Sequence, residues 1–205
     1  MSIKLFDADM LLLVVLVFGI VGALPGEKPK SGWPASLAND IIFTEHQKLI
    51  RQMAPNMSQK LFVIEGEQYR WPGNTIPYAF SDQHSSDDRQ KIRQGMDAIE
   101  RVTCFRFVPR QEQQDYVLFE PRQGCFSYFG RIGGEQILSL DQNCFDDYVI
   151  IHELIHSIGV EHEHQRSDRN LHVDVHLDNV ESGKEFNFEM RPWRLYSTYD
   201  IRFIQ

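Results

Sequence analysis

The chain has 205 residues, a formal net charge of −8 at pH 7 and a hydrophobic fraction of 42%. This length can hold one ordinary domain with processing segments, and the hydrophobic fraction is enough for a buried core. The acidic balance, together with the lack of any block of basic residues, excludes nucleic acid as the main partner.

Residues 1–23 have the layout of a secretory signal peptide. Lys4 precedes an apolar run over residues 10–21, and Val21 and Ala23 stand at the −3 and −1 positions of a cleavage site. The run is short for a membrane-spanning helix, with a signal anchor or a buried helix as the alternative. We therefore expect a secreted, extracellular protein that has no membrane attachment after the signal is removed.

The segment between the signal and the main domain contains few elements. Residues 24–33 are rich in Pro, Gly and Lys, which is typical of a linker. Residues 44–53 predict a short helix, with Thr44 as its cap and Gln47 three residues later.

A denser pattern begins near Tyr69. Residues 75–80 predict an edge strand, because Pro77 cannot donate a hydrogen bond to a neighbouring strand. Ser85 and Ser86 open a helix that extends to about Val102. Its apolar residues recur at helical spacing and predict a buried stripe of Ile92, Met96, Ile99 and Val102.

The second half of the chain predicts three strands followed by a second helix. Three strand-like runs lie at residues 104–108, 116–119 and 135–140, with glycine-rich turns between them. Asp146 or Asp147 then caps a second helix that ends near Ile158. This order predicts an α+β fold with a small twisted mixed sheet and two main helices.

The second predicted helix carries the residues with the clearest chemistry. His152 and His156 are four residues apart, so both imidazoles lie on one face and can reach one ion. Gly159 can end the helix in a left-handed conformation and let the chain return His162 as a third ligand. Three protein nitrogens with one open position predict a catalytic zinc site that holds one Zn2+ per chain.

Glu153 follows the first of these histidines. In the HExxH pattern this carboxylate faces a water on the metal and acts as the general base for attack on a peptide carbonyl. The alternative for the whole group is an amphipathic helix with exposed histidines. His164, His172 and His176 have no spacing that adds a ligand, and we expect them to be surface or hydrogen-bonded residues.

The longer stretch, residues 152–169 (HELIHSIGVEHEHQRSDR), resembles the metzincin signature and, within it, the astacin family of zinc metalloendopeptidases. The same resemblance is found at residues 70–80, 104–109 and 125–131. It covers roughly residues 65–201. It implies a zincin-like upper subdomain, with His152, His156 and His162 as zinc ligands and Glu153 as the general base.

The resemblance implies further roles. Cys125 and Cys144 would pair in a disulfide, and Phe126, Ser127 and Tyr128 would form the edge strand along which a substrate peptide lies. Glu163 would interact with the new N-terminus after activation, near Phe62 or Val63.

A precursor organisation is also implied. Residues 24–62 would be a propeptide that inhibits the enzyme, and residues 63–205 the catalytic domain. Asp40 would occupy the metal until cleavage, although residues 37–40 match the family's F-x-G-D pattern only partly and Asp40 could be an ordinary loop or cap residue.

The chain departs from the family near its end. The S-x-M-H-Y Met-turn is absent, Met190 lacks the right context, and the family's partner for Cys104 is missing. We expect the lower subdomain to be largely missing and the chain to be truncated. Three functions follow: a secreted zinc endopeptidase made as a zymogen, a truncated product that binds zinc without activity, or a secreted binding module.

Overall fold

The computed structural model describes residues 40–45, 47–48 and 66–190. The predicted signal peptide, the linker, the activation site and the end of the chain all lie outside these residues. So does most of the predicted helix at residues 44–53, of which Thr44 and Gln47 form reciprocal hydrogen bonds of 3.2 and 2.8 Å. Within the described part, no helix is long and apolar enough to cross a membrane.

The main sheet has four parallel strands: β2 (Thr75–Phe80), β3 (Arg106–Pro109), β4 (Tyr116–Phe119) and β6 (Glu135–Leu138). Their order across the sheet is β3-β2-β4-β6. A two-stranded parallel pair joins β1 (Ile41–Ile42) to β5 (Ser127–Tyr128). The antiparallel part of the predicted mixed sheet is limited, in the described chain, to a bridge between Phe126 and Ser139.

The prediction that residues 75–80 form an edge strand is wrong, because β2 lies between β3 and β4. The carbonyl of Tyr78 accepts from the Arg110 amide on the β3 side, at 2.8 Å. Neighbouring residues point their amides to opposite sides, so Pro77 faces the β4 side. The pairing with β4 begins one residue later, at Tyr78 and Val117, so the missing N–H of Pro77 removes no bond from that ladder.

The first helix, α1 (Ser86–Val102), begins at a capping box in which Ser85 and Asp88 satisfy each other's backbone amides. The predicted stripe is confirmed: Ile92, Met96 and Ile99 are buried and Val102 is partly buried.

The second helix, α2 (Asp147–Ser157), is buried from Val149 to Ser157. It crosses α1 at Gly95, where an added Cβ would lie 2.7 Å from Cγ2 of Ile150. The two helices and the inner face of the sheet enclose the main core, whose fully buried members include Ile76, Ile92, Met96, Ile99, Phe119, Leu138, Ile150 and Leu154. Packing in this core therefore fixes the position of α2, the helix that carries the predicted ligands His152 and His156.

Beyond Gly159 the chain contains short 3-10 turns at Glu163–Gln165, Arg169–Leu171, Leu177–Asn179 and Glu185–Phe188. The apolar side chains of Leu171, Leu177, Phe186 and Met190 are exposed here.

Candidate metal centre

The last turn of α2 determines where the predicted ligands lie. Gly159 has φ +92° and ends the helix, with its amide bonded to the His156 carbonyl at 2.9 Å. The Val160 amide bonds to the Ile155 carbonyl at 3.2 Å. These two bonds form a Schellman motif, in which a left-handed glycine reverses the chain. The bend returns His162 to the face of α2 that carries His152 and His156.

The three imidazoles converge through their Nε2 atoms. The Nε2 of His152 lies 2.9 Å from that of His156 and 3.4 Å from that of His162. Three nitrogens bound to one tetrahedral zinc at about 2.0–2.1 Å would be about 3.3–3.4 Å apart. The donor set is thus nearly preformed for a single ion, and the structure brings together all three predicted ligands.

Asp40 completes this group from outside the helix. Its Oδ2 lies 2.5 Å from the Nε2 of His152, 3.1 Å from that of His162 and 3.6 Å from that of His156. The ligating atoms of these four residues all lie within 4.8 Å of one another, and they form a group that could hold a metal ion. In this structure Asp40 therefore lies against all three predicted ligands.

The protonation of these groups follows from burial and from their mutual contacts. Burial would raise the pKa of Asp40, but the charge of His162 and hydrogen bonds from the three histidines outweigh it and hold that pKa well below its usual value. Burial, with the neighbouring His156, lowers the pKa of His152 to about 3, against the raising effect of Asp40. A neutral His152 and an ionised Asp40 are the forms that bind a metal.

A hydrogen bond selects the tautomer of His156. Its Nδ1 lies 2.7 Å from the Val160 carbonyl oxygen, which can only accept, so Nδ1 carries the proton. In that tautomer Nε2, which lies 2.9 Å from the Nε2 of His152, is the ring nitrogen that can bind a metal. The Schellman turn that returns His162 thus also orients the imidazole of His156.

Glu153 lies beside the histidines and is fully buried. Neither of its carboxylate oxygens has a hydrogen-bond partner among the described residues. Burial and, next, the negative charge of Asp40 raise its pKa well above the usual value. A buried carboxyl group with a raised pKa and no partner beside a metal-binding group is suited to exchange a proton with a reacting molecule.

The predicted substrate strand is β5, and in this structure β1 is paired with it. The Ser127 amide donates to the Asp40 carbonyl at 2.7 Å, and the Phe129 amide donates to the Ile42 carbonyl at 3.2 Å. Gln47 donates to the Phe129 carbonyl at 2.9 Å, and the rings of Phe43 and Phe129 are 5.3 Å apart. The segment around Asp40 therefore occupies the backbone groups that the sequence assigns to a substrate.

The remaining predicted residues are distributed as follows. Cys125 and Cys144 form a disulfide, which closes the segment that contains β5 and β6 and ends just before α2, while Cys104 is free and exposed. Glu163 is buried and pairs with the fully buried Arg166 at 3.1 Å. The predicted activated N-terminus lies outside the described residues, so its contact with Glu163 stays a prediction.

Sequence reasoning missed the surroundings of His162. His164, expected to be a surface or hydrogen-bonded residue, does bond to the Asn187 carbonyl, but its stacking against the His162 ring, with centroids 5.3 Å apart, was not expected. Arg166 is fully buried between Glu163 and Asp168. The acidic residues three before and two after Arg166 were the available signal for this ion pair.

This geometry defines a class of protein: a zincin, with two helical histidines, a third after a glycine turn and a glutamate beside them. The sequence model of astacin, a peptidase family, matches residues 63–204. The chain belongs to the astacin family.

Individual relatives agree with this assignment. The chain is 47% identical over 120 residues to zinc metalloproteinase nas-12 of Caenorhabditis elegans, covering 58% of this chain and 31% of that protein. It is 32% identical over 199 residues to zinc metalloproteinase nas-6 of the same organism, covering 90% of this chain and 58% of the relative. It thus spans less than two thirds of the length of these relatives.

A solved structure is similar in fold. High choriolytic enzyme 1, a hatching enzyme zinc-protease of Oryzias latipes, matches with a TM-score of 0.60 and 33% sequence identity, covering 68% of this chain and 69% of that chain. The predicted α+β zincin-like fold is confirmed.

Proposed function

We propose that this protein is the secreted precursor of a zinc-dependent endopeptidase of the astacin type. The observation that carries the proposal is the convergence of three histidine Nε2 atoms on one carboxylate oxygen of Asp40, at 2.5, 3.1 and 3.6 Å. Family membership and relatives named as zinc metalloproteinases support the choice of metal and reaction.

His152, His156 and His162 would hold one Zn2+. Three imidazoles that lie close enough to share one ion are the donor set of catalytic zinc sites. Bound zinc would supply Lewis-acid chemistry at this point, polarising a carbonyl and making a nearby water more acidic. The oxygen of Asp40 could supply a fourth ligand, which would leave such an ion no open position while Asp40 is present.

Glu153 would be the general base. Its buried carboxylate would take a proton from the attacking water and deliver it to the leaving amine nitrogen of the peptide. The charge of Asp40 is one cause of its raised pKa. Removal of Asp40 would therefore lower that pKa and leave the carboxylate ready to accept a proton.

A protein or peptide substrate would lie along Phe126, Ser127 and Tyr128 by strand addition. The backbone amides of Ser127 and Phe129 already donate to a bound segment, which supports their use by an extended substrate chain. The same contacts support autoinhibition, because the propeptide would occupy the edge strand and the metal site together.

The processing scheme completes the proposal. Residues 1–23 would be the signal peptide, residues 24–62 the inhibitory propeptide and residues 63–205 the catalytic domain, whose new N-terminus would meet Glu163. The disulfide between Cys125 and Cys144 suits an extracellular protein, because such bonds persist in oxidising compartments.

The test is hydrolysis of a generic protein substrate by the purified chain after removal of its propeptide, together with zinc analysis. We expect activity that a chelator stops and that Glu153→Gln lowers at least about a hundredfold, the lower end of the contribution of a general base. Exposed Glu181→Gln is the matched control and should keep full activity.

Other outcomes would overturn the proposal. One zinc per chain without hydrolysis would indicate an inactive zinc-binding product, and no zinc would indicate a binding module. The autoinhibition is tested with Asp40→Ala in the uncleaved chain, which should hydrolyse substrate faster than the uncleaved original. Equal rates would show that Asp40 does not block the site.

A further inference from the structure

We propose that His164 is a positioning residue for the third metal ligand, whose ring it holds in the orientation that faces the ion. The inference rests on the proposed zinc site. It assigns a role to a side chain that lies outside the group of four metal-binding residues.

The ring of His162 is nearly parallel to the rings of two neighbouring histidines, His164 and His152. It is stacked on His164 with centroids 5.3 Å apart and an angle of 26° between the planes. Its relation to His152 is similar, at 5.3 Å and 24°. Parallel, offset rings at this distance make a favourable contact that restricts rotation of the side chain.

The ring of His164 is itself held in place by contacts with the segment at residues 187–188. Its Nε2 donates to the Asn187 carbonyl at 2.9 Å, and the Phe188 ring lies 5.6 Å from its own. Gln165 donates to the same Asn187 carbonyl at 2.8 Å. Arg169 donates to the carbonyls of both His164 and Phe188. The ring of His164 is therefore a fixed surface that connects the turn at residues 185–188 to the metal site.

His162 needs such support more than His156 does. Metal-binding histidines are generally oriented by a hydrogen bond from their second nitrogen, as the Nδ1 of His156 shows with Val160. Among the described residues, none bonds to the Nδ1 of His162. This side chain is also the most exposed of the three, at 11% against 4% for His152 and 2% for His156. Among the described residues, the stacking contact with the His164 ring takes the place of a hydrogen bond to the Nδ1 of His162.

The experiment separates the ring of His164 from its hydrogen bond. Zinc affinity is measured by competition with a chromogenic chelator for the full chain and for His164→Ala, His164→Phe and His164→Gln. Phenylalanine keeps a ring and loses the donor, whereas glutamine keeps a donor for Asn187 and loses the ring. Exposed His176→Ala is the matched control.

We expect His164→Ala and His164→Gln to weaken zinc binding by about 10–100-fold, the usual effect of a residue that supports a ligand. His164→Phe and His176→Ala should stay within about threefold of the original chain. In the cobalt-substituted protein, the visible spectrum should change in the alanine and glutamine variants and be restored by phenylalanine. Denaturant unfolding of the zinc-free variants checks that each one folds.

Two results would overturn the inference: unchanged zinc affinity in His164→Ala, or loss in the phenylalanine variant with retention in the glutamine variant. Failure of the original chain to bind zinc is a different result, because it would contradict the proposed function and not only the role of His164.

Discussion

The metal centre joins two regions that hold their ligands by different means. His152 and His156 belong to α2, where the helical repeat sets their spacing and the core of sheet and helices encloses them. His162 belongs to the chain after Gly159, which consists of 3-10 turns and has several exposed apolar side chains. In the first region backbone regularity positions the ligands, whereas in the second region individual side-chain contacts do so.

This difference shows how a rigid site can include an irregular segment. A single Schellman turn determines the direction of the returning chain, but it does not fix the ring of His162. The ring is fixed by its neighbours, and the backbone beyond it by the buried Arg166 with Glu163 and Asp168. In the irregular region the course of the backbone itself thus depends on side-chain contacts, whereas in α2 the helical repeat sets the spacing of the ligands.

Removing one ligand from each region gives the largest expected effects. His156→Ala and His162→Ala should each weaken zinc binding by more than about 100-fold, beyond the range for supporting residues. The zinc-free proteins should differ. His156→Ala leaves the buried Val160 carbonyl without its donor, so its unfolding free energy should fall by about 1–3 kcal/mol.

His162→Ala should cause a smaller loss, since the His162 side chain makes no hydrogen bond to the backbone of the described residues. Urea unfolding of the chelator-treated variants measures both values. Equal losses of stability in the two zinc-free variants would remove the distinction between the regions.

The turn between the regions is tested by Gly159→Ala. Gly159 has φ +92°, and an L-residue there costs about 1–3 kcal/mol of stability. The change should also displace His162 and so weaken zinc binding. Gly183→Ala is the matched control, because Gly183 has φ +86° and open space around its Cβ position. The Gly183→Ala variant should lose a similar amount of stability and keep its zinc affinity. Equal zinc affinities in the Gly159→Ala and Gly183→Ala variants would show that the turn does not direct His162.

The smallest effect is expected for Asp168→Asn, in the irregular region. Burial alone would raise the pKa of Asp168, but the hydrogen bonds and charge of Arg166 outweigh it and lower that pKa. The carboxylate therefore stabilises the fold at pH values above its unfolded pKa of about 3.9, and this stability is lost as the pH falls through the folded pKa.

At pH 7 the asparagine variant should be less stable by about 1 kcal/mol, and the difference should shrink below about pH 4. Urea unfolding at a series of pH values measures this, with exposed Asp174→Asn as the control. A difference that is the same at pH 3 and pH 7 would contradict the role given to the Arg166 ion pair.

The sequence predicted the parts of the fold that regular periodicity determines. The stripe of α1 and the paired histidines of α2 follow from the repeat of 3.6 residues, and the glycine bend from the conformational freedom of Gly159. The position of β2 was predicted wrongly. Whether Pro77 costs a hydrogen bond depends on where the neighbouring strand begins, and that register is a tertiary property.

The metal site was predictable only where the spacing of residues or the resemblance to a family marks them. The spacing of His152, His156 and His162 identified the donor set, and resemblance to a family suggested Asp40 in spite of its partial motif. The stacking of His164 was not predictable, because it depends on the segment at residues 185–188, which is distant in sequence and has no regular pattern.

The most direct test of the central claim is X-ray absorption at the zinc edge of the purified, uncleaved chain, with metal analysis of the same sample. The account predicts one zinc per chain, with three imidazole nitrogens and at least one oxygen as ligands, and loss of one imidazole from the signal in His162→Ala. A chain without zinc, or a zinc with sulfur ligands and the same signal in that variant, would contradict it.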